Sequence, residues 1–104
     1  MKYEIWQLPL SNKAKFMHYD WLEKKPQIPE YVMVYAGFYG QQKDTEEILE
    51  DIFYLLNENH PKDYHAASLS VSDLICLIDD YHSREWWYVD GLGFKKMEYK
   101  YNDF

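Results

Sequence analysis

One stretch of this chain, residues 46–58, repeats its apolar residues with the period of an α-helix, and this feature constrains the fold most. The apolar positions recur about every 3.6 residues, so they share one face of a helix. Asp44 or Thr45 offers a side-chain oxygen to cap the helix, and the Asn-His-Pro sequence at 59–61 ends it. We predict that the helix packs on a sheet through five residues: Ile48, Ile52, Phe53, Leu55 and Leu56.

Two stretches in the first half of the chain have the pattern of β-strands. Residues 2–8, KYEIWQL, carry apolar side chains on both faces, with Tyr3 and Ile5 on one face and Trp6 on the other. This pattern predicts a strand that is covered on both sides. Residues 30–38, EYVMVYAGF, are also apolar on both faces and rich in β-branched and aromatic residues, which predicts a central strand.

The second half of the chain predicts further strands. Residues 73–79 and 85–90 are compact apolar runs joined by a short polar segment, which is typical of an antiparallel hairpin, and residues 94–97 predict a short edge strand. Residues 16–25 have the spacing of a short helix, stopped by Pro26. The prediction is therefore an α+β fold: a mainly antiparallel sheet of about four to five strands, with one principal helix packed on one face, in a single domain spanning 1–104.

Length and composition exclude several classes of protein. A chain of 104 residues is too short for a two-domain enzyme, and a lone Cys76 cannot form an intrachain disulfide. No apolar run approaches the ~18 residues of a membrane span, so we expect a soluble, cytoplasmic protein. The net charge of −7, with its cations dispersed, disfavours direct nucleic-acid binding and fits either a protein partner with a basic surface or a simple role in solubility.

The sequence contains no pattern that indicates catalysis. His60, Asp63 and His65 lie close together, but their spacing matches no recurrent zinc-ligand pattern, and we assign them no chemical role. Cys76 lies within the apolar run ICLI, where a thiol is typically a small buried hydrophobe. We therefore predict a protein that is not an enzyme and has no metal and no cofactor.

The acidic residues of the predicted helix provide the candidate partner-binding site. Glu47, Glu50, Asp51 and Glu58 fall opposite its apolar face, and residues 44–58 contain no lysine or arginine. The plain interpretation is a solvated helix face. A face of a single sign, however, gives up the i,i+4 ion pairs of ~0.2–0.5 kcal/mol that mixed faces gain, which favours a basic partner.

Two further expectations concern aromatic and hydroxyl residues. Trp, Tyr and Phe make up 19% of the chain, too many for all of them to be interior. We expect the exposed ones to include Tyr39, Tyr99, Tyr101 and Phe104. In the segment SLSVSD, we expect Ser70 or Ser72 and Asp73 to bond nearby backbone amides where the loop meets the next strand.

Four pieces of the chain resemble the YodL-like domain family. They are the opening strand KYEIWQL, the helix register LEDIF (49–53), the segment NENHPKDYHAASLSVSDLICL (57–77) and YVDGLGF (88–94). The chain departs from the family pattern at Ala66 and Ala67, where a glycine and a polar residue are expected.

The resemblance implies a function class but no catalytic residues. YodL-like domains occur as small proteins, and within larger ones, of phages, plasmids and conjugative elements. Small acidic proteins of such elements are often inhibitors of host defence, and this chain is similar to them in size and charge, so we expect a non-catalytic inhibitor that binds a protein. The specific hypothesis is an anti-CRISPR protein that acts on a type II CRISPR effector nuclease through an acidic surface, because such nucleases hold nucleic acid in basic channels. The alternative is a regulatory or accessory interaction module of a mobile element with no defence target.

Overall fold

A computed structural model describes residues 1–99 of the chain. It contains five strands, one α-helix and two short 3₁₀ helices, at Tyr19–Trp21 and Ile28–Glu30. The main elements are β1 (Lys2–Gln7), β2 (Val32–Phe38), α1 (Thr45–Glu58), β3 (Leu74–Ile78), β4 (Arg84–Asp90) and β5 (Gly93–Met97).

The five strands form one sheet in the order β2-β1-β3-β4-β5, and every neighbouring pair is antiparallel. The predicted α+β fold, the β3–β4 hairpin and the short edge strand β5 are confirmed. The central position predicted for residues 30–38 is wrong, because β2 is the outer strand of the sheet. The strand beside it, β1, takes the inner position and pairs with both β2 and β3.

A β-bulge explains why the apolar pattern of β2 was misleading. Ile5 lies opposite Tyr35 and Trp6 lies opposite Met33, so Val34 is an extra residue in the ladder. An extra residue reverses the side-chain alternation beyond it. Val34 and Tyr35 consequently both pack against the core on the helix side, and the apolar residues at the ends of the strand remain exposed.

Helix α1 begins one residue earlier than predicted and covers one face of the sheet through residues spaced three and four apart. Ile48, Leu49, Ile52 and Leu56 are buried, and Phe53 and Leu55 are half-buried against the same core. Asp44 occupies the N-cap position, but its side chain makes no capping hydrogen bond, so that part of the prediction is wrong. The Asp44 carbonyl accepts the Ile48 amide at 2.9 Å.

A second core lies on the far face of the sheet, where the segment 9–31 replaces a second helix. Leu74, Cys76 and Tyr88 are fully buried there, beneath Ile28 and Tyr31. The short helix predicted within 16–25 is wrong, because the segment forms turns and the 3₁₀ helix Tyr19–Trp21. The apolar residues of this segment pack on the far face as single anchors and not as a continuous helical stripe. In the described residues, no helix is both long and apolar enough to cross a membrane.

Candidate interaction surface

Four carboxylates of α1, Glu47, Glu50, Asp51 and Glu58, lie on the side of the helix that faces away from the sheet; we call them the acidic surface. Glu47, Glu50 and Glu58 are exposed, and Asp51 is half-buried. Within residues 1–99, no ion pair forms to Glu47, Glu50 or Glu58. The predicted solvent-facing placement of these four side chains is therefore confirmed, and three of them carry uncompensated charge.

Asp51 differs from the other three because the segment before α1 supplies its partners. Lys43 Nζ lies 2.9 Å from Asp51 Oδ2, and the Tyr39 hydroxyl donates to the same oxygen at 2.5 Å. The Tyr39 hydroxyl and the Lys43 ammonium hold the pKa of Asp51 below its ordinary value. The sequence of the helix alone could not show this pair, since Lys43 precedes it. Asp51 contributes less net charge to the acidic surface than its neighbours.

An aromatic ring lies in the middle of the acidic surface. Tyr54 is 64% exposed and follows Glu50 by four residues and precedes Glu58 by four, so it lies between them on the helix. Tyrosine is one of the residue types that most often anchor protein interfaces. The helical spacing of Tyr54 relative to Glu50 and Glu58 could have identified it from the sequence.

Two of the aromatic residues that we expected to be exposed, Tyr39 and Tyr99, are half-buried. Tyr39 is bonded to Asp51, and the Tyr99 hydroxyl donates to the Pro26 carbonyl at 2.6 Å. Tyr101 and Phe104 lie outside the described residues. The aromatics that the structure does expose are Phe16, Trp21, Phe38, Tyr54 and Tyr81.

Ser72 and Asp73 form a buried polar pair at the start of β3, which we call the polar clasp. The Ser72 hydroxyl accepts the Phe16 amide at 3.0 Å, and the Ser72 carbonyl accepts the Tyr31 hydroxyl at 2.8 Å. Both partners belong to the segment 9–31. Ser72 has a φ of 88°, a left-handed backbone conformation that costs a serine free energy and is maintained by these bonds. The clasp therefore fixes the segment 9–31 to the sheet.

Asp73 is the charged member of the polar clasp and is fully buried. Its carboxylate accepts the Ser70 amide at 2.9 Å and the Gln7 side-chain amide at 3.2 Å, and it lies 3.5 Å from Lys15 Nζ. Burial raises the pKa of Asp73, and the Ser70 amide, Lys15 and Gln7 oppose that shift. The predicted bonding to a nearby backbone amide is confirmed for Asp73, whereas Ser72 bonds the amide of Phe16, 56 residues away in the sequence. The distant partners Gln7 and Lys15 left no local pattern in the sequence.

The loop before β3 is held in place by polar contacts. Asn57 uses both ends of its side-chain amide to bond the backbone of Leu69, at 2.7 and 3.0 Å. The Ala67 carbonyl accepts hydrogen bonds from the side chains of Tyr64 and Gln7. These bonds fix the loop at the position where Ala66 and Ala67 depart from the family pattern.

The side chains that could have carried chemistry are two exposed histidines, an exposed aspartate and a buried thiol. His60 and His65 are exposed, and Asp63 accepts the Tyr35 hydroxyl at 3.0 Å. Residues 1–99 contain no group of three His, Cys, Asp or Glu side chains that could hold a metal ion. Burial raises the pKa of the Cys76 thiol to about 12, which leaves it protonated and poorly nucleophilic at neutral pH.

A cleft of about 390 Å³ lies beside the turn between β4 and β5, and the sequence did not suggest it. His18 Nδ1 lies 3.5 Å from Asp90 Oδ1 at its edge, and Trp21 and Lys95 also line it. A Cβ at position 91 would overlap the His18 ring, so a substitution there would have to displace that ring. The described lining of this cleft contains no serine, threonine or cysteine.

These features define a small α+β protein in which one helix covers a five-stranded antiparallel sheet and presents acidic side chains to solvent. The family model of the YodL-like domain matches residues 2–99. The chain belongs to the YodL-like domain family. A search of the curated proteins and a search of the solved structures gave no significant match.

Proposed function

We propose that this protein is a non-catalytic binding protein that docks through the acidic surface of α1 onto a basic surface of a protein partner. The observation that carries the proposal is the exposure of Glu47, Glu50 and Glu58, together with the absence of an ion pair to any of them within residues 1–99. Such a face has lost the mixed-sign pairs that would stabilise it in isolation. A basic partner would supply the missing cations.

The arrangement of the surface supports binding more than simple solubility. Tyr54 provides a large exposed ring at the centre, and the carboxylates around it would direct lysine or arginine side chains of the partner onto that ring. Complementary charge mainly accelerates association, and its contribution falls as salt screens it over a Debye length of ~10 Å at 0.1 M.

The more specific form of the proposal names the partner. A type II CRISPR effector nuclease holds its nucleic acid in a positively charged channel through backbone contacts. An acidic surface of this kind would compete for that channel, so we propose that the protein inhibits the nuclease by occupying it. Support for this form is the net charge of −7 and the exposed carboxylates of α1.

The test is a triple charge reversal, Glu47→Lys, Glu50→Lys and Glu58→Lys. Because the three side chains are exposed, we expect the fold to survive, while affinity for a guide-free or guide-loaded type II nuclease falls at least about tenfold at low salt. Affinity would be measured by biolayer interferometry across a series of salt concentrations, with nuclease cleavage followed in parallel.

The matched control reverses three exposed acids elsewhere: Glu23→Lys, Asp80→Lys and Glu98→Lys. It changes the net charge equally, so a general charge effect would weaken both variants alike. Equal loss in the two variants would contradict the assignment of the acidic surface. If the wild-type protein binds neither form of the nuclease but binds another basic protein through α1, the specific partner is wrong and the binding surface stands.

A further inference from the structure

The outer strand β2 has only one of the features that usually protect a sheet edge, the bulge at Val34. Its seven residues carry no charge, and Val32, Met33 and Phe38 are 58%, 45% and 72% exposed. Natural edge strands are commonly protected by lysine, proline or a covering element, because their unpaired peptide groups can join another strand. The opposite edge follows that rule, since β5 presents exposed lysines at 95 and 96.

The hydrogen bonds of β1 show which peptide groups of β2 point away from the sheet. Met1 and Tyr39 exchange both backbone hydrogen bonds, at 3.1 and 2.8 Å. Bonded and non-bonded pairs alternate along an antiparallel ladder, so Gly37 faces β1 while Ala36 and Phe38 direct their N–H and C=O groups outward. Within residues 1–99, no hydrogen bond beyond the ladder with β1 reaches Ala36 or Phe38.

We propose that this edge pairs with the same edge of a second copy of the chain, antiparallel and about a two-fold axis at Gly37. In this register Ala36 of each copy lies opposite Phe38 of the other, so the outward groups of both residues form four hydrogen bonds across the axis. The register uses the regular end of β2 and avoids the bulge at Val34. The two strands join the two sheets into one sheet of ten strands.

Side-chain size supports this register. Ala36 and Phe38 lie on the same face of the sheet, and both are exposed there. Pairing places each large Phe38 ring beside the small Ala36 of the other copy, which is a favourable large-to-small match. A residue larger than glycine does not fit at position 37, because its Cβ would lie 2.5 Å from the Tyr3 ring.

The self-complementary register favours a second copy at this edge, because Ala36 and Phe38 of one copy match Phe38 and Ala36 of the other. The carboxylates near β2 are of two kinds. Glu4 is balanced by Arg84 at 2.6 Å and Asp51 by Lys43 at 2.9 Å, whereas Asp79 and Asp80 lie exposed beside Phe38 and Asp63 beside Tyr35. The one exposed cation of β1, Lys2, would lie at least ~14 Å from its counterpart, three strand spacings away, where salt screens the repulsion.

The test is the mass of the protein in solution, measured by sedimentation across a range of concentrations. We expect the wild-type mass to rise towards twice the 12.7 kDa of the chain. Two variants address the edge. Phe38→Lys places a charge against the second copy, and Ala36→Pro removes an outward N–H that β1 does not use. Each should raise the dimer dissociation constant at least tenfold while circular dichroism stays unchanged.

Leu92→Lys is the matched control, because Leu92 is fully exposed and apolar but lies at the β4–β5 turn. This variant should dimerise like the wild type. A wild-type chain that stays monomeric at all concentrations overturns the proposal, even if another protein's strand binds to β2. A dimer that persists in Phe38→Lys also overturns the proposal. If Ala36→Pro fails to fold, Phe38→Lys alone provides the test.

Discussion

Replacing Ile52 by aspartate is expected to leave the chain unfolded. Ile52 is fully buried in the middle of α1, within the core between the helix and the sheet. The change removes packing worth about 2–5 kcal/mol and adds the penalty for placing a carboxyl group in an apolar site. This total is comparable with the whole stability of a domain of this size, about 5–15 kcal/mol. Thermal melting followed by circular dichroism should show no cooperative transition.

The matched control is Tyr54→Asp, on the same helix but 64% exposed. This control also introduces an aspartate, and the helix propensities of tyrosine and aspartate are similar. Because the position is exposed, the variant should still unfold cooperatively, at a temperature close to that of the wild type. An Ile52→Asp chain that melts cooperatively at the wild-type temperature would contradict the placement of α1 on the sheet.

The second large effect is expected at Asp73, the charged member of the polar clasp. Asp73→Ala leaves Lys15, whose side chain is 9% exposed, without its carboxylate, and leaves the Gln7 amide with one acceptor fewer. Removing one partner of a buried charge pair costs about 3–5 kcal/mol. Urea unfolding should report a loss of this order. Asp80→Ala, which removes an exposed carboxylate, should change stability by less than about 0.5 kcal/mol.

The Asp73 effect should also depend on pH. Because burial raises the pKa of Asp73 above its unfolded value, the folded state binds its proton more tightly than the unfolded state does. The resulting stability is complete below about pH 4 and is lost as the pH rises through the raised pKa. The cost of Asp73→Ala should therefore be greater at pH 4 than at pH 7. A cost below about 1 kcal/mol at both values would show that the clasp does not hold the segment 9–31.

The sequence predicted what local periodicity can encode. The spacing of Ile48, Ile52 and Leu56 identified α1, and the compact apolar runs at 73–79 and 85–90 identified β3 and β4. These patterns are reliable because each element buries one or both of its faces along its whole length.

The failures have a different origin, because they depend on contacts between distant parts of the chain. Whether an apolar strand is central or outer depends on which strands join it, so residues 30–38 were misplaced. Asp73 bonds Gln7, 66 residues away, and Lys15, 58 residues away, and no local pattern links them. Lys43 neutralises Asp51 from outside the helix, so the charge of the acidic surface was overestimated.

The order of the strands also fixes the earliest point in synthesis at which β1 can pair with both of its neighbours. The first strand made, β1, lies between β2 and β3, and Lys2 pairs with both Phe38 and Ile78. The ribosome needs about 2–8 s to add the roughly 40 residues that separate those two partners. During this interval β1 can pair with β2 but not yet with β3. A pair of two strands is only marginally stable by itself. We expect stalled nascent chains to resist protease only once Ile78 has emerged, and protection of shorter chains would contradict this order.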